Sequence, residues 1–389
     1  MIKQLKILHI FGKMDRGGAE MRAMDMMEKL QGPDSLRSVL FDFVSLSGQD
    51  GDLDPKIQSL GGRVFPIKLN WLFPWRFYRL LRREKYDVVH SHVQLFSGFL
   101  LLLAAWANVP VRLAHLHTTG SRHGLSLRRR LQDKLMIHWL YQYATSLVAV
   151  SRGALENFTR QAPCFNGDDR LRMIYDGVNV DHFLSVRFGR DIFEELKLPR
   201  SARILIHVGR TNPVKNHEKI IGVFQKLCDI DSSLHLVLVG ASEPERKKFL
   251  EEMIREKGLS GKVTLLGART DVHHLLNQAQ LMIFPSHYEG LPGAVLEALS
   301  LGVPVLASDL PGCRELAEHF PWIQILPVEL SDDQWSKQAA LILQGSAPEA
   351  ERALQILKSS PFNLENTLKD WMRLWSHVLS ADGASSRDR

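Results

Sequence analysis

Phe284-Pro285-Ser286-His287-Tyr288-Glu289-Gly290-Leu291-Pro292-Gly293-Ala294-Val295-Leu296-Glu297-Ala298-Leu299-Ser300-Leu301-Gly302 follows the end of an apolar run, Leu281 to Phe284, and leads into another, Val303 to Ala307. The first run reads as a buried strand, Pro292 opens a helix and Gly302 closes it. Strand, glycine turn and helix together make an anion-ready end of a parallel α/β unit. Bare backbone at Gly290 and Gly293 lets a ligand approach, while unpaired N–H groups and the positive end of the helix dipole favour phosphate. A carboxylate at Glu289 would repel that phosphate, so it reads as an acceptor for hydroxyls on the same ligand, and Glu297 offers a second acceptor inside the helix. Phosphate together with hydroxyls points to a sugar nucleotide.

Composition sets the frame. The chain has 389 residues, 45% hydrophobic and 24% charged, ordinary for a soluble protein and long enough for two domains. Lys and Arg number 49 against 43 Asp and Glu, a formal +6, with the excess gathered at Arg76 to Lys85 and Arg122 to Lys134. Cys164, Cys228 and Cys313 stand far apart, which argues for a reducing compartment, the cytosol, and against zinc or a disulfide framework. Met1 to Lys6 leads directly into a strand without a signal peptide. The longest apolar run, Phe96 to Ala107, is shorter than the roughly 20 residues a spanning helix needs and reads as a buried helix.

The same alternation recurs along the chain. Leu5 to Phe11 is a strand, and Gly17 and Gly18 then turn into a helix from about Ala19 to Leu30, either as a second anion site or as a simple reversal. Val39 to Leu46, Val64 to Ile67, Val88 to His90 and Leu147 to Val150 continue a parallel α/β domain, and Ser151 caps the helix that follows. His90 and His92 end one strand; His115 and His117 end the next. Residues two apart on a strand point the same way, so each pair has chelating geometry. No carboxylate or cysteine at ligand spacing accompanies them, and a ligand-facing place at the strand ends or a structural one fits them as well. Ile204 to Val208 restarts the alternation and runs into Gly209-Arg210-Thr211-Asn212-Pro213-Val214-Lys215, where a planar fork at Arg210 and a point charge at Lys215 suit a diphosphate or form a solvated turn. Leu234 to Gly240 is the next strand.

Taken together these stretches resemble the retaining glycosyltransferases of GT-B fold, family 4, in their exopolysaccharide and capsule branch. Glu289 and Glu297 match the Glu-x7-Glu signature, Arg210 and Lys215 the diphosphate clamp, Arg16 to Glu20 the donor-side glycine loop, and Asp87 to His92 the first histidine motif. His117 matches the histidine near the reacting carbon. The resemblance implies two Rossmann-like domains with parallel sheets facing a central cleft: 1–185 on the acceptor side, 186–363 for the donor, a helix over 364–380 crossing back, and a disordered tail over 381–389. It implies catalysis by His117, Glu289, Arg210 and Lys215, and donor contacts at Gly17, Gly18, Gly209, Gly240, Gly267, Arg269, Gly290, Leu291 and Glu297. The family's Asn-Gly-Val-Asp turn reads Asp176-Gly177-Val178-Asn179 here, with the two polar residues exchanged.

The implied reaction moves a sugar, with retention, from a nucleotide sugar of uridine type to a saccharide or polyprenyl-linked saccharide in cell-surface polysaccharide or lipopolysaccharide synthesis. No cofactor, metal or nucleic acid is expected. Asp52-Leu53-Asp54 has the form that metal-dependent transferases of another fold use, but it stands in an early loop and is discounted. A sugar-nucleotide epimerase of the same fold and a non-catalytic nucleotide-sugar-binding protein are the rival readings. Helical spacing puts Arg76, Arg79 and Arg83 on one face beside Trp75, Phe77 and Leu81. With Trp71, Phe73 and the cluster Arg122, Arg128, Arg129 and Arg130, this face is either a solvated helix surface or a peripheral contact with the inner membrane leaflet.

Overall fold

The computed structural model describes residues 4–31, 39–117, 126–184 and 191–385, those from 377 onward as backbone alone. It divides into two compact units, Met1–Gly177 with Leu364–Arg389, and Val178–Asn363. The division lies ahead of the boundary at 185 expected from the sequence. The Val178 amide donates to Phe362 O at 2.9 Å, and the short helix Val180–Leu184 packs on Ala350–Ser359, so this segment belongs with the second unit.

The first unit is a seven-stranded parallel sheet. Its strands are β1 (Leu5–Phe11), β2 (Val39–Ser45), β3 (Val64–Pro66), β4 (Val88–Ser91), β5 (Val111–Leu116), β6 (Ser146–Ala149) and β7 (Leu171–Met173), in the order β3-β2-β1-β4-β5-β6-β7. The chain grows outward in both directions from β1 and β4. Right-handed crossovers therefore place Phe73–Glu84, Ser97–Trp106 and Leu127–Tyr143 on one face, packed side by side, and Gly18–Gln31 on the other. On that second face the alternate positions Ile7, Phe41, Phe43, Val88, Val111 and Leu113 meet Met24 and Met27 of the first helix and Trp371, Leu374 and Trp375 of the last. The last helix, Leu364–Ser385, runs past position 380, so residues 381–385 are helical where the sequence suggested a disordered tail; 386–389 lie outside the described residues.

Histidine enters this core. His9, His90 and His115 occupy the same alternate positions as the aliphatic side chains and are buried, with His92 just beyond β4. Trp371 lies 4.7 Å from the His90 ring and 4.9 Å from that of His115. Burial disfavours the charged imidazole: His9 is lowered to about 3, and His90, His92 and His115 lie well below the ordinary value.

The second unit is a six-stranded parallel sheet in the order β10-β9-β8-β11-β12-β13. Its strands are β8 (Arg203–Val208), β9 (Leu234–Val239), β10 (Val263–Gly267), β11 (Leu281–Phe284), β12 (Val305–Ser308) and β13 (Ile323–Leu326). Here the direction of growth reverses between β8 and β11. The helix His217–Cys228 buries Ile220, Ile221, Val223 and Phe224 on the strands, and Trp335 from the helix Asp332–Gln344 completes this core. No helix among the described residues is long and apolar enough to cross a membrane.

The histidine core makes stability depend on pH. Groups with depressed folded values contribute stability that is present above about pH 6.5, where the unfolded chain is also neutral, and that falls as the unfolded histidines take up protons. Each such group changes stability by about 1.4 kcal/mol per pH unit below that point. Urea midpoints followed from pH 7.5 to 5.0 are expected to fall steadily; a flat profile would mean that the buried rings are protonated in the folded chain.

Candidate functional site

In an open parallel sheet, the loops at the reversal point enclose a crevice beyond the carboxyl ends of the strands. In the second unit those loops follow β8 and β11, which pair directly through Leu205 with Leu281 and Ile206 with Met282. The His287 amide donates to Val214 O at 2.8 Å and ties one loop to the other. Asn212 accepts from the Lys215 amide, the turn Pro213–Lys215 is tight, and Asn216 is left-handed at φ 55°, so the backbone aims Lys215 back over the strand ends. Its Nζ stands 2.5 Å from Glu289 Oε1 and 5.0 Å from the Phe284 ring centre. The two side chains are only 19% and 16% exposed, so the pair interacts in a medium less screened than water.

Close backbone packing shapes the floor of this crevice. A Cβ at Gly240, where φ is +150°, would lie 2.0 Å from Gly209 O, and one at Gly209 would lie 3.1 Å from His207 Nε2 and 3.2 Å from the Lys215 side chain. The Gly240 amide donates to Gly267 O at 2.8 Å. These glycines thus serve strand-end packing, whatever else they contact. Gly290 is buried and Leu291 half-buried just before the helix Gly293–Ser300, with Pro292 extended at its N-cap. Glu297 lies on that helix, 3.8 Å from His273 Nε2. Arg210 is exposed, in the same loop as Lys215.

Arg269 is placed differently from the rest. Its guanidinium bonds Asp271 at 2.7 Å through two nitrogens and Glu195 at 2.5 and 3.0 Å, and these carboxylates hold its pKa well above the ordinary value. The side chain sits in a network of carboxylates. Glu195 stands far away in sequence, so no local spacing could have announced this.

The first unit gathers a second constellation. His9 and His90 are register partners on β1 and β4, and His9 Nδ1 lies 3.0 Å from His92 Nε2. His92 Nδ1 faces His117 Nε2 at 2.9 Å, and His90 Nε2 faces His115 Nδ1 at 3.3 Å. His117 Nδ1 lies 3.5 Å from Asp176 Oδ2. The sequence separates these rings into two pairs; the sheet joins them and adds His9, which looks like one polar interruption of an apolar strand. The exchange of Asp176 and Asn179 also acquires a physical meaning. Asp176 meets His117 in the first unit, while Asn179 Oδ1 accepts from the Asp181 amide at 3.1 Å and starts the helix Val180–Leu184. At the first glycine turn, a Cβ on Gly17 would fall 2.2 Å from Glu20 Oε2, whereas one on Gly18 would meet open space.

Known proteins share this organisation. Residues 17–176 match the glycosyl transferase 4-like domain, and residues 189–355 match the glycosyl transferases group 1 model. The capsular polysaccharide biosynthesis glycosyltransferase CapH of Staphylococcus aureus is 27% identical over 81% of this chain and 84% of its own. An Escherichia coli UDP-Gal:alpha-D-GlcNAc-diphosphoundecaprenol alpha-1,3-galactosyltransferase is 28% identical over 62% of each chain. HepE from Anabaena, in its complex with UDP-glucose, superposes with a TM-score of 0.77 at 18% identity, over 97% of this chain and 100% of that one. With a 4-like first half, a group 1 second half and two Rossmann-like parallel sheets, the chain belongs to the family 4 type of GT-B glycosyltransferases.

Proposed function

We propose that the chain transfers a sugar from a UDP-sugar to a saccharide carried on a polyprenyl diphosphate, with retention and without a metal ion. The observation that carries this reading is the Lys215–Glu289 pair at the reversal point of the second sheet. On donor binding, Lys215 turns to the diphosphate together with Arg210 and the amides around Gly290 and Leu291, while Glu289 accepts from the sugar hydroxyls and Glu297 from the ribose. The bond from anomeric carbon to phosphate oxygen then breaks, with its electron pair leaving on the diphosphate. Fixed cations and helix amides stabilise that growing charge, the task a metal would otherwise perform. The acceptor oxygen bonds to the anomeric carbon on the same face, its proton passes to the leaving phosphate, and His117 helps to position the site. The Escherichia coli relative, a UDP-Gal:alpha-D-GlcNAc-diphosphoundecaprenol galactosyltransferase, and the UDP-glucose complex of HepE support a uridine donor and a lipid diphosphate acceptor.

The first unit supports a peripheral place at the cytosolic face of a membrane. Trp71 is 86% exposed and Trp75 59%, and the Arg79 guanidinium lies over the Trp75 ring at 5.3 Å, with Arg76 and Arg82 exposed alongside. Phe73, Phe77 and Leu81 are buried instead, with the Phe73 and Phe77 rings stacked at 5.5 Å, which corrects their place beside the arginines. Arg83 bonds Glu84 and Arg129 pairs with Asp133, while Arg122 lies outside the described residues. The same helical layer adds a stripe the sequence reading passed over. Leu127, Leu131 and Leu135 stand exposed at four-residue spacing, between exposed Arg128, Arg130 and Lys134. Apolar and aromatic side chains rimmed by cations suit an anionic interface.

Radiolabelled transfer to a polyprenyl-linked acceptor tests the reaction. Lys215→Ala and Arg210→Ala are each expected to lose at least tenfold in turnover with the fold intact, and unchanged turnover in either removes the clamp. Glu289→Ala should lower kcat, whereas Glu297→Ala should mainly raise KM; the reverse pattern would exchange their roles. Liposome flotation is expected to recover the protein with anionic but not neutral vesicles, and to lose it when Arg76, Arg79 and Arg128 become serine. Equal recovery under both conditions would leave these helices as solvated faces.

A further inference from the structure

We propose that His92, His115 and His117 form a binding site for a divalent transition-metal ion of the zinc class, and that metal held there inhibits transfer by withdrawing His117. One ring nitrogen from each of the three lies within 4.8 Å of the others. Three imidazoles with a fourth position open are a recurrent zinc set, and imidazole suits zinc, copper and nickel far better than calcium or magnesium. Proximity alone would be weak, because histidines also pack together in cores. The second nitrogens decide the matter.

Each of the three rings has its far nitrogen held by another group. His117 Nδ1 lies 3.5 Å from Asp176 Oδ2, His92 Nε2 lies 3.0 Å from His9 Nδ1, and His115 Nδ1 lies 3.3 Å from His90 Nε2. Metal-bound histidines almost always have such a partner, which fixes tautomer and ring direction. The other nitrogens are the ones left over. His92 Nδ1 and His117 Nε2 point at one another across 2.9 Å and share one proton, and His115 Nε2 is buried without a hydrogen-bond partner. Two Zn–N bonds of about 2.0–2.1 Å at a tetrahedral angle separate their nitrogens by about 3.3 Å, so to admit the ion the facing pair opens by a few tenths of an ångström and His115, whose nitrogen lies within 4.8 Å of theirs, closes toward them. Ring protons then sit on the far nitrogens, His9 carrying its own on Nε2 and His90 on Nδ1. Both of those atoms lack a protein partner.

Access distinguishes this trio from the deeper group of His9, His90 and His92, all of which are buried. His117 and Asp176 each keep 15% of their side-chain surface, which leaves a route from solvent and room for the fourth ligand. The ion is an inhibitor in this scheme, consistent with a transfer step that needs no metal.

Cobalt titration of the chelator-treated full chain tests the site without any sugar substrate. Co²⁺ is expected to bind with one equivalent, to give the intense visible bands of a tetrahedral centre, and to be displaced by Zn²⁺. His115→Ala should weaken binding at least tenfold, and Asp176→Asn ten- to a hundredfold through the lost second partner. Absence of tetrahedral bands, or affinities unchanged in both variants, overturns the site. If His115→Ala does not fold, His115→Gln and Asp176→Asn carry the comparison. The inhibition arm rests on the transferase reading: zinc should lower turnover of the natural chain at a concentration at least tenfold below that needed for His115→Ala. Equal inhibition of both places the inhibitory ion elsewhere, even where the cobalt bands stand.

Discussion

Lys215 can neutralise one anion at a time. In the free chain that anion is Glu289, at 2.5 Å and largely shielded from water. In the proposed reaction a diphosphate would take the ammonium while sugar hydroxyls donate to Glu289, so the reading calls for a ligand that brings both groups together. A bare phosphate would supply half of that requirement.

Much of this was legible in the sequence where a short-range rule governs. Leu5 to Phe11 and Leu281 to Phe284 are strands at the expected bounds, Ser151 caps its helix by accepting from the Ala154 amide, and Pro292 stands at the N-cap of the helix after the glycine loop. The parallel architecture followed from the alternation itself. What escaped depends on pairings remote along the chain. The Val178 to Phe362 bond moves the unit boundary, the Arg269 to Glu195 pair ties a candidate donor contact to a distant carboxylate, and β1–β4 register brings His9 against His90. The basic helix was misread for another reason. Helical spacing alone does not tell which side faces the sheet, and Phe73, Phe77 and Leu81 took the inward side that leaves Trp75 and Arg79 outside.

The histidine layer is an inefficient way to fill a core. His9 Nε2, His90 Nδ1 and His115 Nε2 are buried without a protein partner, and each such atom costs about 1–3 kcal/mol relative to an apolar replacement of the same shape. Stability does not account for rings so placed. His90 and His115 stand near the carboxyl ends of β4 and β5, where this class of sheet places its ligands, and His9 lies beside His90 on β1.

The first unit is built from two pieces of chain that the whole second unit separates. A growing polypeptide makes its sheet first and the helix with Trp371 and Trp375 last. At roughly 5–20 residues per second, synthesis of Val178–Asn363 keeps those pieces apart for about ten to forty seconds. During that interval the ring faces of His90 and His115 that Trp371 covers remain bare. A nascent chain thus carries an unsealed histidine core through about half of its synthesis, and closure of the first unit reports that the second has already been made.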